Sequence, residues 1–302
     1  MQRPEGGTIA GQLDTDLLAN AEATAAWDGP LYDRFVQYRK VVVGGLAPHG
    51  TQALRKYPPP AGARVLDIGC GFGDATQQIA QLVGPGGEAV GVDVSQRFVD
   101  TAAEEAGAAG VANARFLTRD VEVDDLGGPY DQAFSRFGTM FFAGPVTALR
   151  NVRSALAPGA RLVMVVWRRR IDNDWIYRAQ EIVEKIVERP EEYDEPTCGP
   201  GPFSMADADT TSEILLHAGY EDVELTRCEL PLMVGADLDE AIEVVMALGP
   251  AGEILRLAGD RAAHLHGEVR EALEAGLAEF QTPNGIVAPA STWIVSALVP
   301  GA

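Results

Sequence analysis

The sequence predicts an α/β protein: a doubly wound, mostly parallel sheet of seven strands, with an N-terminal helical lid and helical insertions. Three observations carry this. From residue 61 to 167, short apolar runs alternate with stretches of helical spacing. Val65, Leu66 and Ile68 are β-favouring residues of a strand covered on both faces. That strand breaks at Gly69, Gly71 and Gly73 into helical spacing over 77–83.

In chain order, residues 14–26 are mildly helical, Trp27-Asp28-Gly29-Pro30 breaks the pattern, and 31–46 reads as a helix with Leu31, Phe35, Tyr38 and Val42 on one stripe. Pro58-Pro59-Pro60 separates residues 1–60 from the core at 61–302. The first region is either a packing arm or a lid over a ligand crevice, with Trp27, Tyr32, Tyr38 and Arg39 as its contacts. In the core, strands are expected at 64–68, 89–94, 115–119, 130–136 and 161–167, with helices at 97–106 and 146–156 and turns at 84–87 and 157–160. A helix at 175–187, a loop with Pro and Gly at 190–203 and a helix at 208–218 follow. The last sheet elements are 223–234 and 285–298. Two helices rich in Ala, Leu and Glu, 238–258 and 261–280, lie between them; their apolar faces are expected to serve a homodimer contact or a pocket wall. The insertions are therefore 168–206 and 236–284.

The chain of 302 residues has 46% apolar residues and no apolar run near the ~20 needed to span a membrane. No apolar stretch follows Arg3, so a cytoplasmic protein without a secretory signal is expected. Cys70, Cys198 and Cys228 are far apart, which implies neither a disulfide framework nor a metal site. A net charge of -20 repels phosphate backbones and disfavours nucleic-acid partners. Arg168-Arg169-Arg170, the one dense basic run, is read as a solvated loop in preference to an anion site.

Alternate glycines let the backbone turn sharply and let a ligand reach the main chain, and the free N–H groups of the following helix welcome a polar group. Asp93, ending the second strand, can accept both hydroxyls of a ribose. The dinucleotide pattern Gly-x-Gly-x-x-Gly/Ala fails in both frames, since its last position falls on Thr76 or Asp74. Asp120, past the third strand, offers a further acceptor where an adenine amino group could lie beside Val94 and Val121.

Asp67-x-Gly69-x-Gly71-x-Gly73, Asp93, Asp120 and the turn Leu156-Ala157-Pro158-Gly159-Ala160-Arg161-Leu162 together resemble class I S-adenosylmethionine-dependent methyltransferases over residues 60–170. The stretch from Phe134 through Phe142 is similar to the ubiquinone/menaquinone-biosynthesis type and its small-molecule relatives. The resemblance implies a Rossmann-like sheet, S-adenosylmethionine as cofactor, and a small-molecule methyl acceptor. It implies that the Gly69, Gly71 and Gly73 backbone lies against the methionine part, that Asp67 orders the loop or meets the amino group, and that Asp93 holds the ribose. Asp120 and Val121, with Val94, would hold adenine; the Ser135 carbonyl would face the methionine amino group; Arg136 and Phe137 would line the route to the methyl. Asp74 and Ala160 depart from residues common in the family. Trp27, Tyr32, Trp167 and Tyr177, with Asp28 and Asp174, are the expected substrate-pocket walls alongside Arg136 and Phe137.

Methyl transfer is an in-line displacement at a carbon already activated by its sulfonium, so a base is needed only when the acceptor must lose a proton. His49, His217, His264 and His266 are candidates, but each falls in a helical stretch that favours a structural role, and no catalytic acid or base is assigned. A nicotinamide-dependent oxidoreductase and a non-catalytic cofactor-binding relative are the competing readings.

Overall fold

The computed structural model describes residues 24–188 and 200–301. Most of the expected 14–26 helix, most of the 190–203 loop and Cys198 lie outside the described residues.

The strands are β1 (Arg64–Ile68), β2 (Glu88–Asp93), β3 (Ala114–Thr118), β4 (Tyr130–Arg136), β5 (Leu156–Trp167), β6 (Glu221–Gly235), β7 (Gln281–Thr282) and β8 (Gly285–Leu298). Seven of them form the main path in the order β3-β2-β1-β4-β5-β8-β6, and the two-residue β7 pairs with β8 at its side. β1 to β5 pair in parallel, while β8 is antiparallel to both of its neighbours, so it alone on the main path runs against the rest. The strand order reverses between β1 and β4, which opens a crevice beyond their carboxyl ends.

Among the described residues the α-helices are α1 (Tyr32–Gln37), α2 (Ala47–Lys56), α3 (Asp74–Val83), α4 (Gln96–Ala108), α5 (Pro145–Ser154), α6 (Asp174–Ile186), α7 (Ala208–His217), α8 (Leu238–Leu248), α9 (Pro250–Ala258) and α10 (His266–Leu277). Each strand of the core sends alternate side chains to two apolar layers. Val65, Phe134, Val163 and Val165 meet Ala53 and Leu54 of α2 and Ile79, Ala80 and Val83 of α3. Leu66, Ile68, Leu162 and Met164 meet Leu149 and Val152 of α5 and Leu215 of α7.

A third apolar centre lies past the end of β5. Beyond the pair Trp167–Thr292, β6 and β8 continue as a two-stranded ribbon through Leu232–Ala288 to Gly235–Ile286. Leu232, Val234, Ile286 and Ala288 of this ribbon are buried with Val183 of α6, Val245 of α8, Ile254 of α9 and Leu273 of α10. The two insertions of the sequence thus converge into one helical cap. The apolar faces of 238–258 and 261–280 are buried within the chain, which removes the basis on which they were expected to form a dimer contact. No helix among the described residues is long and apolar enough to cross a membrane.

Three helical expectations are corrected. The single helix 31–46 is α1 followed by a wide turn at Lys40–Gly45, with α2 as a further helix the pattern did not reveal. A Cβ on Gly45 would stand 2.8 Å from Leu232 Cδ1 and 3.1 Å from the Met233 carbonyl, so glycine lets the chain approach β6 there. The helix 238–258 breaks into α8 and α9 at Gly249, which is extended, and Pro250, which has no N–H to continue the ladder. The helix 261–280 is shorter, with tight turns at Gly259–Arg261, Ala263–Leu265 and Ala278–Phe280 around α10. Because Ala53 is fully buried and Leu54 nearly so, α2 belongs to the core, and among the described residues the outlying segment is 24–45.

Candidate active site

Gly69, Gly71 and Gly73 all adopt positive φ, at 64°, 52° and 75°. Their surroundings differ. A Cβ on Gly73 would lie 2.6 Å from the Phe116 ring and 2.8 Å from Ala102, and one on Gly69 would lie 3.0 Å from Gly138 Cα. A Cβ on Gly71 would meet no protein atom within 4 Å. Packing therefore accounts for the first and third glycines, and the middle one faces open space where a ligand can approach the main chain.

Asp93 fastens this loop to the end of β2. Its carboxylate accepts from the Gly71 amide at 2.9 Å and from the Ser95 amide at 3.0 Å, while burial pushes its pKa up against these bonds. Ser95 in turn caps α4, its hydroxyl accepting from the Phe98 amide. Asp67 is 1% exposed and accepts from the Thr76 hydroxyl at 2.6 Å, which joins β1 to α3 and orders the loop between them. Burial, reinforced by the charges of Asp74 and Asp93, pushes its pKa up to about 7, against the Thr76 bond and Arg136. Ser135 donates to the Ile68 carbonyl at 2.8 Å. Asp120 accepts from the Glu122 amide at 2.9 Å and closes the turn after β3, where the Arg119 amide bonds the Asp93 carbonyl. Val121 is buried and Val94 half-buried. The glycines, Asp93, Val94, Asp120, Val121 and Ser135 thus share the carboxyl ends of β1 to β4.

The segment 27–45 crosses above. Asp28 accepts from the Ser95 hydroxyl at 2.7 Å and the Arg97 amide at 3.0 Å; the amide bond and the hydroxyl bond hold its pKa down. The Tyr32 hydroxyl bonds Thr101 at 2.8 Å, and its ring packs on Phe98 and Phe72. Trp27 meets Phe35 and Phe141 edge-on. Arg39 lies 4.1 Å over the Phe72 ring and pairs through both nitrogens with Glu105. At the other end, Arg34 reaches the Ala247 carbonyl of α8, and Val41 is buried in the cap. The segment is a strap between α4 and the cap, with Phe72 of the glycine loop beneath it.

A second group gathers at the ends of β4 and β5. Arg136 pairs through both nitrogens with Asp74 at 2.6 and 2.8 Å, so the departure at Asp74 locks the start of α3 to β4. Phe137 is a non-glycine residue at φ 60°, a conformation that costs about 1–3 kcal/mol and collects at functional sites. Its amide bonds the Val165 carbonyl, and its ring lies 4.6 Å from Trp167. Trp167 is 6.4 Å from Trp175 and 6.3 Å from His49, and His49 is 6.2 Å from Phe137. His49 is wholly buried, and burial with the nearby Arg136 charge pushes its pKa down to about 4.

Of the expected pocket walls, Arg136, Phe137 and Trp167 come together here, and Trp27 and Tyr32 lie on the strap. Tyr177 stands apart, its hydroxyl bonded to Glu181 one turn along α6. Asp174 pairs with Arg178 on the same helix. Trp175 carried no signal in the sequence, and nothing in the sequence set His49 apart from His217, His264 and His266. The basic run is not a solvated loop: Arg168 is buried on Trp293, Ser291 and Asp172, Arg170 bonds Gln180, and Arg169 alone is exposed.

A family model described as a methyltransferase domain matches residues 60–219, more than half of the chain. The chain belongs to this methyltransferase family. The aklanonic acid methyltransferase DauC of Streptomyces sp. (strain C5) is 29% identical over 126 residues, 41% of this chain and 57% of that protein. The ubiquinone/menaquinone biosynthesis C-methyltransferase UbiE of Ectopseudomonas mendocina (strain ymp) is 34% identical over 106 residues, 34% of this chain and 41% of that protein. The chain thus spans about half the length of these curated relatives. The YcgJ protein of Bacillus subtilis superposes with a TM-score of 0.54 over 84% of this chain and 100% of its own, at 17% identity, a likeness of fold. The methyltransferase match covers β1 to β5 and the glycine loop, and leaves the strap and the ribbon-borne helices of the cap outside it.

Proposed function

We propose that this methyltransferase-family chain moves a methyl group from S-adenosylmethionine to a small-molecule acceptor by in-line displacement. The observation that carries the reading is the open side of Gly71, in a loop anchored by Asp93 and roofed by the aromatic strap. The residues present fit an adenosyl ligand: Gly71 leaves room at the main chain, Asp93 and Asp120 put carboxylates at successive strand ends, and Val94 and Val121 supply apolar surface. When bound, the cofactor supplies a carbon already activated for displacement by its sulfonium. The chain's own contribution is alignment and exclusion of water. The loop and Asp93 hold the ligand in register, the Asp74–Arg136 pair fixes the loop against β4, and Phe137 and Trp167 offer flat apolar surface to the acceptor. A charge of -20 disfavours a nucleic-acid acceptor. A cytoplasmic setting belongs to the proposal, supported by the free, buried thiols of Cys70 and Cys228.

Calorimetry with S-adenosylhomocysteine and NADH tests the cofactor: binding of the first and not the second is expected, and tight NADH binding alone would refute the reading. Release of S-adenosylhomocysteine during turnover separates an enzyme from a non-catalytic binder. The lid role of 24–45 has its own test. A chain starting at Leu46 keeps α2, and it should retain the circular dichroism of the core yet bind S-adenosylhomocysteine about tenfold or more weakly, because the cover on Phe72 is gone. Undiminished affinity would make the strap a packing arm.

A further inference from the structure

We propose that His49 Nε2 receives the hydroxyl hydrogen of the acceptor, and that this acceptor is a planar hydroxyl compound lying against Phe137 and Trp167. The inference rests on the methyltransferase reading and adds to it the acceptor atom and the group that takes its proton.

Three side chains form a row across the sheet. Trp167 pairs in register with Thr292, and Thr292 with Cys228, so β5, β8 and β6 present the three at one level. His49 of α2 packs over this row, with Nδ1 3.0 Å from the Thr292 hydroxyl oxygen. The Thr292 hydroxyl donates its own hydrogen to the Cys228 carbonyl, at 3.4 Å. A carbonyl can only accept, so with that bond made the Thr292 oxygen accepts from His49, and we assign the ring hydrogen to Nδ1. The Cys228 sulfur, 3.9 Å from the same nitrogen, is a weak second neighbour. The lone pair therefore sits on Nε2, and that atom is buried without a hydrogen-bond partner. A buried acceptor left unpaired is unfavourable, and a donor brought by a ligand removes the penalty.

Two more orphans lie around the same rings. Trp175 Nε1 and Thr139 Oγ1 are also buried and unpartnered; Trp175 is the ring next to Trp167, and Thr139 is two residues beyond Phe137. Three unsatisfied polar atoms on residues adjoining one tilted aromatic pair describe a site for a flat molecule with polar edges. Phe137 also joins this group to the cofactor side, because it follows Arg136, whose partner Asp74 opens α3.

A lone pair of the acceptor oxygen forms the new O–CH3 bond while the C–S bond breaks, its electrons staying on the sulfur as a neutral thioether. The hydroxyl proton, made strongly acidic as the oxygen is alkylated, passes to His49 Nε2. Burial and Arg136 keep His49 neutral beforehand, so the lone pair is available, and a weak base suffices for a proton released this late.

The test uses the full chain saturated with S-adenosylhomocysteine, and 2-naphthol and 2-methoxynaphthalene as probes followed by fluorescence. The wild type should bind 2-naphthol saturably and the methyl ether, which has no hydrogen to give, about tenfold more weakly. His49→Phe should erase that difference, and His49→Gln, whose carbonyl oxygen still accepts, should keep most of it. Thermal midpoints of both variants and their S-adenosylhomocysteine affinities report folding and the cofactor site separately. Failure of the wild type to bind S-adenosylhomocysteine overturns the cofactor reading. Normal cofactor binding with no 2-naphthol binding, with equal affinity for the two probes, or with discrimination that survives in His49→Phe overturns this inference.

Discussion

Gly71→Ala is expected to give a stably folded protein that has lost S-adenosylhomocysteine binding, whereas Gly73→Ala is expected to unfold at markedly lower urea. Both residues have positive φ, so both substitutions meet a backbone cost of about 1–2 kcal/mol for an L side chain. At Gly71 nothing more is added, because no protein atom lies within 4 Å of the new methyl. At Gly73 the methyl would press into the Phe116 ring and Ala102, an overpacking that adds about 1–3 kcal/mol, and the total is a large part of a typical stability of about 5–15 kcal/mol. Binding responds the other way, since the Gly71 methyl stands where a ligand would touch the main chain. Urea unfolding and calorimetry read the two effects apart. Full affinity in Gly71→Ala would mean that the open side of the loop is not where the ligand lies.

Asp93→Ala is expected to weaken S-adenosylhomocysteine binding by more than about tenfold. Removing the carboxylate would delete the charge-assisted ribose bonds proposed for it, worth about 1.5–3 kcal/mol each. It also strips the Gly71 and Ser95 amides of their acceptor, so the loop and the cap of α4 loosen together. Asp93→Asn keeps one carbonyl acceptor and should fall between the two. A dissociation constant unchanged in Asp93→Ala would remove the ribose assignment.

What the sequence disclosed was local. The run from Val65 to Ile68, the glycines and the apolar spacing of α3 lie within twenty residues of one another, and each is dictated by its own backbone chemistry. The 285–298 strand was legible for the same reason, from β-branched and apolar residues in sequence. The break at Gly249-Pro250 was also written locally, but the strong helical spacing on both sides hid it. What was not legible depended on partners far away in the chain. α2 buries only His49, Gly50, Ala53 and Leu54, and Pro48 and Gly50 are weak helix formers, so its place is set by the sheet beneath it. His49 meets Thr292 at a sequence separation of 243, and Arg168 meets Ser291 at a separation of 123, so nothing near either residue marked it as buried. The cap was visible as separate helices, and their union around the β6–β8 ribbon was not.

Asp67 makes proton counting a probe of the loop. With its pKa raised from 3.8 to about 7, it keeps a proton in the folded chain over a range where the unfolded chain has lost it. Its contribution to stability therefore declines as pH rises from about 4 to about 7, opposite in sign to an ion-paired carboxylate. A cation settling on the glycine loop would favour the charged carboxylate and expel that proton. S-adenosylmethionine carries a sulfonium that S-adenosylhomocysteine lacks. Titrations near neutral pH in two buffers of different ionisation enthalpy should therefore show more protons released by the first ligand than by the second, and equal release would mean that Asp67 does not sense the charge of the ligand.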